Sequence, residues 1–280
     1  MPLRTHIIPA AGLGKRRVPL TGTMPGELLT VHDRPMLPCA MEEAAATGVG
    51  RVIIVIRPDK LAIRDDPQRD NASRGRAGAV IACQDKPAGL GDAVACARDL
   101  VLPGPVGVIL PDDVIMGAPC LRQMTQDCTV GHMVAAKTVN PEDALCCGIF
   151  PLSGAEQGRA ILAAGMVEKP GAGTKPSLPA ALERHILDLR ISATPARTPL
   201  DAGREVQVTV AIAGDAQVTP LTASRCVGQR FDAGSHEGLP AAAQTRRRRV
   251  LPPPCARAPL RDGPARATPT CRIGAGIAAP

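Results

Sequence analysis

The alternation of short apolar runs with helix-like segments is the feature that most constrains the fold. The run RVIIVI at 51–56 is apolar at nearly every position, which is typical of a parallel strand covered on both faces. Other strands are predicted at 5–9, 79–83, 106–110, 132–139 and 148–152, and helices at 36–47 and 90–102. This β-α alternation predicts an α/β fold with a doubly wound, mostly parallel open sheet.

The charge is distributed unevenly along the chain. The net charge of +7 comes from the last 35 residues, which hold eight Arg and one Asp, so the preceding part is neutral. From residue 244 to 280 the sequence is rich in Arg, Pro and Ala without periodicity, and we expect a disordered tail. Because no aromatic residue is present there to stack on bases, we do not expect a nucleic-acid partner. An alternative origin for this tail is GC-rich coding DNA read out of frame, which would give the same Arg-, Pro- and Ala-rich composition.

Cysteine usage and hydropathy bear on where the chain works. Ten Cys occur without a C-x-x-C pair, and no metal-ligand spacing is present. The first residues lead directly into a strand rather than a signal peptide, and no apolar run approaches the length of a membrane span. We therefore expect a cytoplasmic protein with free thiols and no membrane partner. Tyr and Trp are absent and Phe occurs twice, so the core must be aliphatic.

Two turns at strand ends carry residues suited to phosphate chemistry. AAGLGKR at 10–16 follows the first predicted strand, and PDD at 111–113 follows another. Because ligands bind at the carboxyl ends of strands in such sheets, the two turns are expected to converge on one site. The glycine turn does not fit a dinucleotide fingerprint, since the third glycine would fall at Arg17. It is either an ordinary β-α turn or a loop that binds a nucleoside triphosphate.

A series of motifs extends over about residues 3–243. In order they are GLGKR at 12–16, PGELL at 25–29, DRPM at 33–36, GLGDAV at 89–94, LPDD at 110–113, VEKP at 167–170, EVQVT at 205–209 and RFDAGS at 230–235. In content and order they resemble the bacterial UTP–glucose-1-phosphate uridylyltransferases, which belong to the sugar nucleotidyltransferases. The resemblance implies a nucleotidyltransferase domain at 1–243 that uses UTP and glucose-1-phosphate. Whether the chain forms an oligomer of identical subunits stays an open question.

The same resemblance implies roles for individual residues. It implies catalytic roles for Arg16, Lys169 and Asp112, nucleotide contacts at Ala11, Gly12, Gly14, Glu27, Gln84 and Gly89, sugar contacts at Gly148, Glu168 and Lys169, and Mg²⁺ ligands at Asp112 and Asp232. From the residues alone, Asp112 also fits a turn former and Asp232 a cap. Likewise, the pair Glu168 and Lys169 also fits an exposed ion pair, and Gln84 a solvent-facing strand end.

Several positions depart from the family pattern and leave the activity open. The phosphate-binding lysine of P-K-E falls on Gly26, and another family lysine falls on Gly22. The tyrosine of Y-G-V is Cys147, the asparagine of P-S-N-L is Leu178, and the final Asp of E-I-Q-L-T-D is Val210. Three hypotheses follow: a working uridylyltransferase, a degenerate homologue that binds nucleotide without turnover, and a thymidylyltransferase.

Overall fold

The structure is a computed structural model that describes most of the first 250 residues. The described ranges are 2–14, 16, 18, 20–22, 24–65, 78–127, 130–140, 144, 147–168, 179–188, 190–191 and 205–250.

Strands and helices alternate through the first half of the chain. The strands are β1 (Thr5–Pro9), β2 (Thr30–Val31), β3 (Arg34–Pro35), β4 (Arg51–Ile56), β5 (Gly78–Cys83), β6 (Val106–Ile109), β7 (Asp113–Met116), β8 (His132–Thr138), β9 (Gly148–Ile149), β10 (Leu152–Gln157), β11 (Ala160–Ala163), β12 (Val167–Glu168), β13 (Pro179–Leu187), β14 (Leu221–Arg225) and β15 (Gln229–Asp232). The α-helices are α1 (Met36–Ala45), α2 (Leu61–Arg64), α3 (Leu90–Cys96), α4 (Cys120–Thr125), α5 (Val208–Asp215) and α6 (Gly238–Val250). Short 3₁₀ helices lie at Leu20–Gly22, Gly26–Leu28 and Arg98–Leu100.

One large mixed sheet organises the molecule. Its strands lie in the order β10-β11-β14-β8-β13-β6-β1-β4-β5, with β9 and β12 paired beside β13. β6, β1, β4 and β5 are parallel neighbours, and β8 is parallel to β14. β13 runs antiparallel between β6 and β8. The prediction of an α/β fold with a mostly parallel open sheet is confirmed.

Helices cover both faces of this sheet because its central strands are apolar on both sides. Successive residues of a strand point to opposite faces, and Ile53 and Ile54 accordingly belong to different core clusters. Residues of α3 and α5 pack with Ile53, while residues of α1 and α4 pack with Ile54. The core is aliphatic as predicted, with Phe150 its largest fully buried side chain.

Local predictions fail where a proline or glycine interrupts the pattern. The predicted strand at 148–152 is split into β9 and the start of β10, because Pro151 lacks the N–H that a ladder needs. The predicted helix at 90–102 ends at Cys96 and continues only as the 3₁₀ turn Arg98–Leu100, ahead of Pro103.

The predicted start of the tail at residue 244 falls inside α6. The described part of that segment, 244–250, is helical rather than disordered. Ala242 is fully buried with Val31 and Met36, and Arg246 pairs with Asp33, so tertiary contacts hold the helix in place. Residues 251–280 of the predicted tail lie outside the described residues. Within the described ranges, no helix combines the length and apolar character needed to cross a membrane.

Candidate functional site

Two clefts adjoin at the carboxyl ends of the parallel strands. The first, of about 340 Å³, is lined by the glycine turn after β1 and by segments after β5 and β6; we call it the glycine cleft. The second, of about 390 Å³, is lined by five carboxylates, and we call it the acidic cleft; these are Asp112, Asp113, Glu168, Glu183 and Asp232. Arg16, Leu110 and Asp112 line both clefts, so a ligand in one can contact a ligand in the other.

Glycines shape the first cleft by their backbone conformation and by close packing. Gly89 has φ +97°, and a Cβ there would lie 2.7 Å from the carbonyl oxygen of Val206. Gly14 has φ +64°, a conformation that strains other residues, and its carbonyl accepts a hydrogen bond of 2.8 Å from Thr21 Oγ1. At Gly12 the added Cβ would meet open space. The backbone at Gly12 is therefore accessible to a ligand in the cleft.

Glu27 is held at the edge of the glycine cleft by a lysine that the sequence did not indicate. Lys60 Nζ lies 2.8 and 2.9 Å from the two carboxylate oxygens of Glu27 and donates to the Ala10 carbonyl oxygen at 2.7 Å. Both residues are buried, and burial lowers the pKa of Lys60 against the opposing effect of Glu27. Lys60 thus fixes Glu27 to the glycine turn.

Gln84 is buried after β5, and its amide group has a fixed orientation. Nε2 donates to Asp92 Oδ2 at 2.7 Å and to the Gly89 carbonyl oxygen at 3.2 Å. Because both partners only accept hydrogen bonds, the nitrogen must face them. The oxygen of the amide is then the end available to a ligand. The alternative of a solvent-facing strand end is excluded, since Gln84 is 3 % exposed.

Asp112 and Asp232 converge at the junction of the clefts. One guanidinium bridges them: Arg16 Nη2 lies 3.4 Å from Asp112 Oδ2, and Nη1 lies 3.1 Å from Asp232 Oδ2. A Cβ added at Gly234 would lie 2.6 Å from Asp112 Oδ2 and 2.9 Å from Asp232 Oδ1. The glycine therefore leaves a small space between the two carboxylates. The side chain of Arg16 is 65 % exposed, so these ion pairs add little stability and are readily exchanged.

The donor set at this junction fits Mg²⁺ bound together with phosphates. Mg²⁺ is commonly held by one or two carboxylates, with substrate phosphates and water completing its coordination. Asp112 and Asp232 supply two carboxylates with a cation already between them. Among the described residues, no group of three or more His, Cys, Asp or Glu side chains could hold a metal ion alone. The arrangement therefore suits a cation that arrives with an anionic ligand.

Gly148 and Glu168 face each other across the β9–β12 pair in the acidic cleft. A Cβ at Gly148 would lie 2.7 Å from Met166 Cε and 3.3 Å from Glu168 Oε2, so a larger residue would crowd the carboxylate. Lys169, the neighbouring predicted site residue, lies outside the described residues. Lys15 and Leu178 lie outside them as well.

Buried charged side chains next to the acidic cleft form a network of ion pairs and hydrogen bonds. Asp113 is 2 % exposed and accepts hydrogen bonds from Arg230 Nε at 2.6 Å and from the Glu183 backbone N–H at 2.9 Å. Arg184 pairs with Glu43 at 2.9 Å. Burial, helped by the charges of Asp113, Asp112 and Glu168, raises the pKa of Glu183 to about 8. The sequence did not single out Glu183 or Arg184, although charged residues in a strand of otherwise apolar character are a usable signal.

A comparison with family models identifies the domain. Residues 5–179 match the model described as nucleotidyl transferase. The chain belongs to the nucleotidyl transferase family. It is 33 % identical over 260 residues to a Bacillus subtilis protein named UTP–glucose-1-phosphate uridylyltransferase, covering 85 % of this chain and 88 % of that relative. A Komagataeibacter xylinus protein of the same name is 30 % identical over 257 residues, covering 84 % and 90 %.

Solved structures of this nucleotidyl transferase family agree with the sequence relatives. A UDP-glucose pyrophosphorylase complexed with UDP-glucose matches with a TM-score of 0.79 and 28 % identity, over 88 % of this chain and 99 % of that chain. A UTP-bound enzyme of Acinetobacter baumannii matches with a TM-score of 0.75 and 26 % identity, over 87 % and 93 %. The resemblance predicted from the motifs is confirmed.

The described members of the predicted site line the two clefts. All six residues predicted to contact nucleotide line the glycine cleft: Ala11, Gly12, Gly14, Glu27, Gln84 and Gly89. Gly148, Glu168 and Asp232 line the acidic cleft, and Arg16 and Asp112 line both. Their individual roles in binding and catalysis stay predictions.

Proposed function

We propose that this chain is a uridylyltransferase that forms UDP-glucose and pyrophosphate from UTP and glucose-1-phosphate. The observation that carries this proposal is the junction of two clefts at a pair of carboxylates bridged by Arg16. A nucleotide cleft and a sugar cleft must meet where the bond is made. Relatives that carry the name of this activity support the choice of substrates.

The nucleotide occupies the glycine cleft in this proposal. Backbone N–H groups of the turn at Gly12 and Gly14 face the phosphates, since bare peptide groups bind anions closely. The amide oxygen of Gln84 accepts a hydrogen bond from the uracil imide, because its nitrogen is already bound to Asp92. Glu27, fixed by Lys60, sits near enough to contact the nucleotide as well.

The sugar phosphate occupies the acidic cleft. Glu168 accepts hydrogen bonds from sugar hydroxyls, and Gly148 lets this carboxylate lie close to β9 without steric conflict. Lys169, adjacent in sequence, supplies a positive charge for the sugar phosphate group. The surrounding carboxylates repel a phosphate from the rest of this cleft, which orients the phosphate toward Arg16 and the junction.

The transfer needs positioning rather than a protein nucleophile. An oxygen of glucose-1-phosphate attacks the α-phosphorus of UTP, a new P–O bond forms, and the bond to pyrophosphate breaks. Arg16 exchanges its carboxylate partners for phosphate oxygens and offsets the charge that develops there. Asp112 and Asp232 would hold Mg²⁺, which would neutralise part of the charge of the triphosphate.

The loss of one phosphate-binding lysine favours a second candidate function. Gly26 lies in the 3₁₀ helix Gly26–Leu28 at the position where the family pattern has lysine. Among the described residues that line the glycine cleft, Arg16 is the only cation. A homologue that binds nucleotide with little or no turnover is therefore the alternative to a working enzyme.

A product assay separates these candidates. Purified protein is incubated with UTP, glucose-1-phosphate and Mg²⁺, and UDP-glucose and pyrophosphate are quantified, with dTTP in a parallel reaction. Equimolar formation of both products with UTP supports the proposal, and a preference for dTTP would indicate a thymidylyltransferase. Absence of product together with calorimetric binding of UTP would favour the non-catalytic homologue.

A further inference from the structure

One wall of the acidic cleft is formed by alternate residues of β13. Ala181, Glu183 and His185 line the cleft, whereas Leu182 and Ile186 pack into the apolar cluster on the opposite face. This is the alternation that a strand imposes, so Glu183 and His185 present their side chains to the same side. Two polar groups on a wall otherwise made of Ala181 indicate a contact surface for a polar ligand.

A β-bulge frees the backbone of Glu183 from the ladder with β8. The pairing of β13 with β8 shifts register between Ala181 and His185, so the residues between them are released from that ladder. The Glu183 N–H donates to Asp113 Oδ2 at 2.9 Å instead, and its carbonyl oxygen accepts from the Leu110 N–H at 3.2 Å. Bulges beside functional sites commonly redirect a side chain. The backbone of Glu183 is therefore fixed while its side chain faces the cleft.

Among the described residues, the carboxyl group of Glu183 has no partner, unlike three of the carboxylates near it. Asp112, Asp113 and Asp232 each pair with an arginine. Within the described part of the chain, no hydrogen bond or ion pair reaches the carboxyl group of Glu183. A partly buried polar group that stays unpaired costs free energy, which a ligand that pairs with it recovers.

His185 gives a second, independent indication at the same wall. It is 1 % exposed, and its Nδ1 has no hydrogen-bond partner among the described residues. Burial and the nearby Arg184 lower the pKa of His185 to about 3, so the ring is neutral. A neutral imidazole beside a carboxyl group does not attract a phosphate. The chemistry of this wall matches hydroxyl groups, which both donate and accept hydrogen bonds.

We propose that Glu183 contacts a hydroxyl group of the hexose 1-phosphate and thereby determines which hexose phosphates the acidic cleft accepts. His185, two residues further along the same wall, acts as a positioning residue. This inference rests on the proposed function, since it takes the acidic cleft as the sugar side. It adds a specificity determinant on β13 to the contacts of Glu168 and Gly148.

The test compares sugar phosphates that lack one hydroxyl each. Values of kcat/KM are measured for glucose-1-phosphate and its 2-, 3-, 4- and 6-deoxy analogues with wild type, Glu183→Ala, Glu183→Gln and the control Glu42→Ala. Glu42 is a half-exposed carboxylate that pairs with Arg34 outside both clefts. Melting temperatures and the KM for UTP are recorded for every variant, so that a general loss of structure is detected.

The proposal predicts that one analogue distinguishes the variants. For wild type and Glu42→Ala, one deoxy analogue should lose about tenfold or more in kcat/KM, because it leaves a polar group of the site unpaired. Glu183→Ala should reduce this discrimination to less than about twofold, and Glu183→Gln should restore part of it, since an amide still forms hydrogen bonds. The KM for UTP should not change. Unaltered discrimination in Glu183→Ala would overturn the proposal.

Calorimetry keeps the inference testable if the enzyme does not turn over. The affinities of UDP-glucose and UDP are measured for wild type and Glu183→Ala. The ratio of the two affinities reports what the glucose group contributes to binding. The inference predicts that this contribution is smaller in Glu183→Ala than in wild type. UDP-glucose binding without turnover would refute the proposed function. The contribution of glucose to binding would still test whether Glu183 contacts the sugar. If wild type binds UDP-glucose no more tightly than UDP, the inference about Glu183 falls, whereas the product assay still decides the proposed function.

Discussion

The glycine cleft and the acidic cleft are built by opposite means. Backbone conformation shapes the first, through glycines with positive φ or close neighbours, and few charged side chains line it. The second is built from carboxylates, of which Asp113 pairs with Arg230 while Asp112 and Asp232 pair with Arg16. A backbone cradle depends on a few turn residues, whereas a charged cleft depends on partners distant in sequence. Variants of the two clefts should therefore fail in different ways.

The largest effect is expected where the clefts meet. Asp112→Asn removes one of the two carboxylates bridged by Arg16, and we expect kcat to fall about 100-fold to 1,000-fold, because charge stabilisation in the transition state is lost. The matched control Asp59→Asn alters an exposed carboxylate that pairs with Arg57. Steady-state pyrophosphate release measures both variants. Similar losses in the two would show that Asp112 has no special role.

The next effect concerns Gly26, which precedes the cleft residue Glu27 in a 3₁₀ helix. Gly26→Lys restores a cation where the family pattern has one, and we expect kcat to rise about 10-fold to 100-fold, since charge-assisted contacts to phosphate are strong. Pyrophosphate release at saturating UTP is the measurement, with Gly50→Lys on the distant loop before β4 as the control. An unchanged or lower rate in Gly26→Lys would mean that the missing lysine does not limit this enzyme.

A smaller effect is expected at the base-contacting end of the glycine cleft. Gln84→Ala removes the amide oxygen assigned to the uracil imide, and the KM for UTP should rise roughly tenfold while the KM for glucose-1-phosphate stays constant. Initial rates with each substrate varied in turn separate the two constants. An equal rise in both would indicate that Gln84 supports the fold and not the base.

The smallest effect concerns pH and the acidic cleft. The pKa of Glu183 is raised from 4.5 to about 8, so between these values the folded chain binds more protons than the unfolded chain. Stability must then fall as pH rises through this window. Relative to Glu183→Gln, the melting temperature of wild type should decline from about pH 5 to pH 8. Parallel melting curves for the two proteins across this range would contradict the burial of an acid there.

The fold was predictable because its signals are local. The apolar run of β4 and the turns after β1 and β6 determine a parallel sheet and the edge at which ligands bind. The antiparallel β13 between β6 and β8 was not predictable, since its pairing depends on residues far apart in sequence. The helical course of 244–250 was missed for a related reason, because an Arg-rich segment becomes a helix here through contacts such as Arg246 with Asp33.

The same distinction applies to the candidate site. The six residues that the motifs assign to nucleotide all line the glycine cleft, and the two aspartates that they assign to Mg²⁺ meet at the junction. The motifs did not indicate Lys60, which pairs with Glu27, or Glu183, which the alternation of β13 places on the wall of the acidic cleft. Motifs identify site residues that lie close together along the chain. Site residues that are brought together by tertiary contacts can be identified only from the structure.

The reverse reaction tests the central claim most directly. Wild-type protein is incubated with UDP-glucose, labelled pyrophosphate and Mg²⁺, and the nucleotides are separated. If the two clefts meet at a uridylyl-transfer site, label should appear in UTP with release of an equal amount of glucose-1-phosphate. The account would be contradicted if no labelled UTP formed and UDP-glucose stayed intact under conditions where calorimetry shows that UDP-glucose is bound.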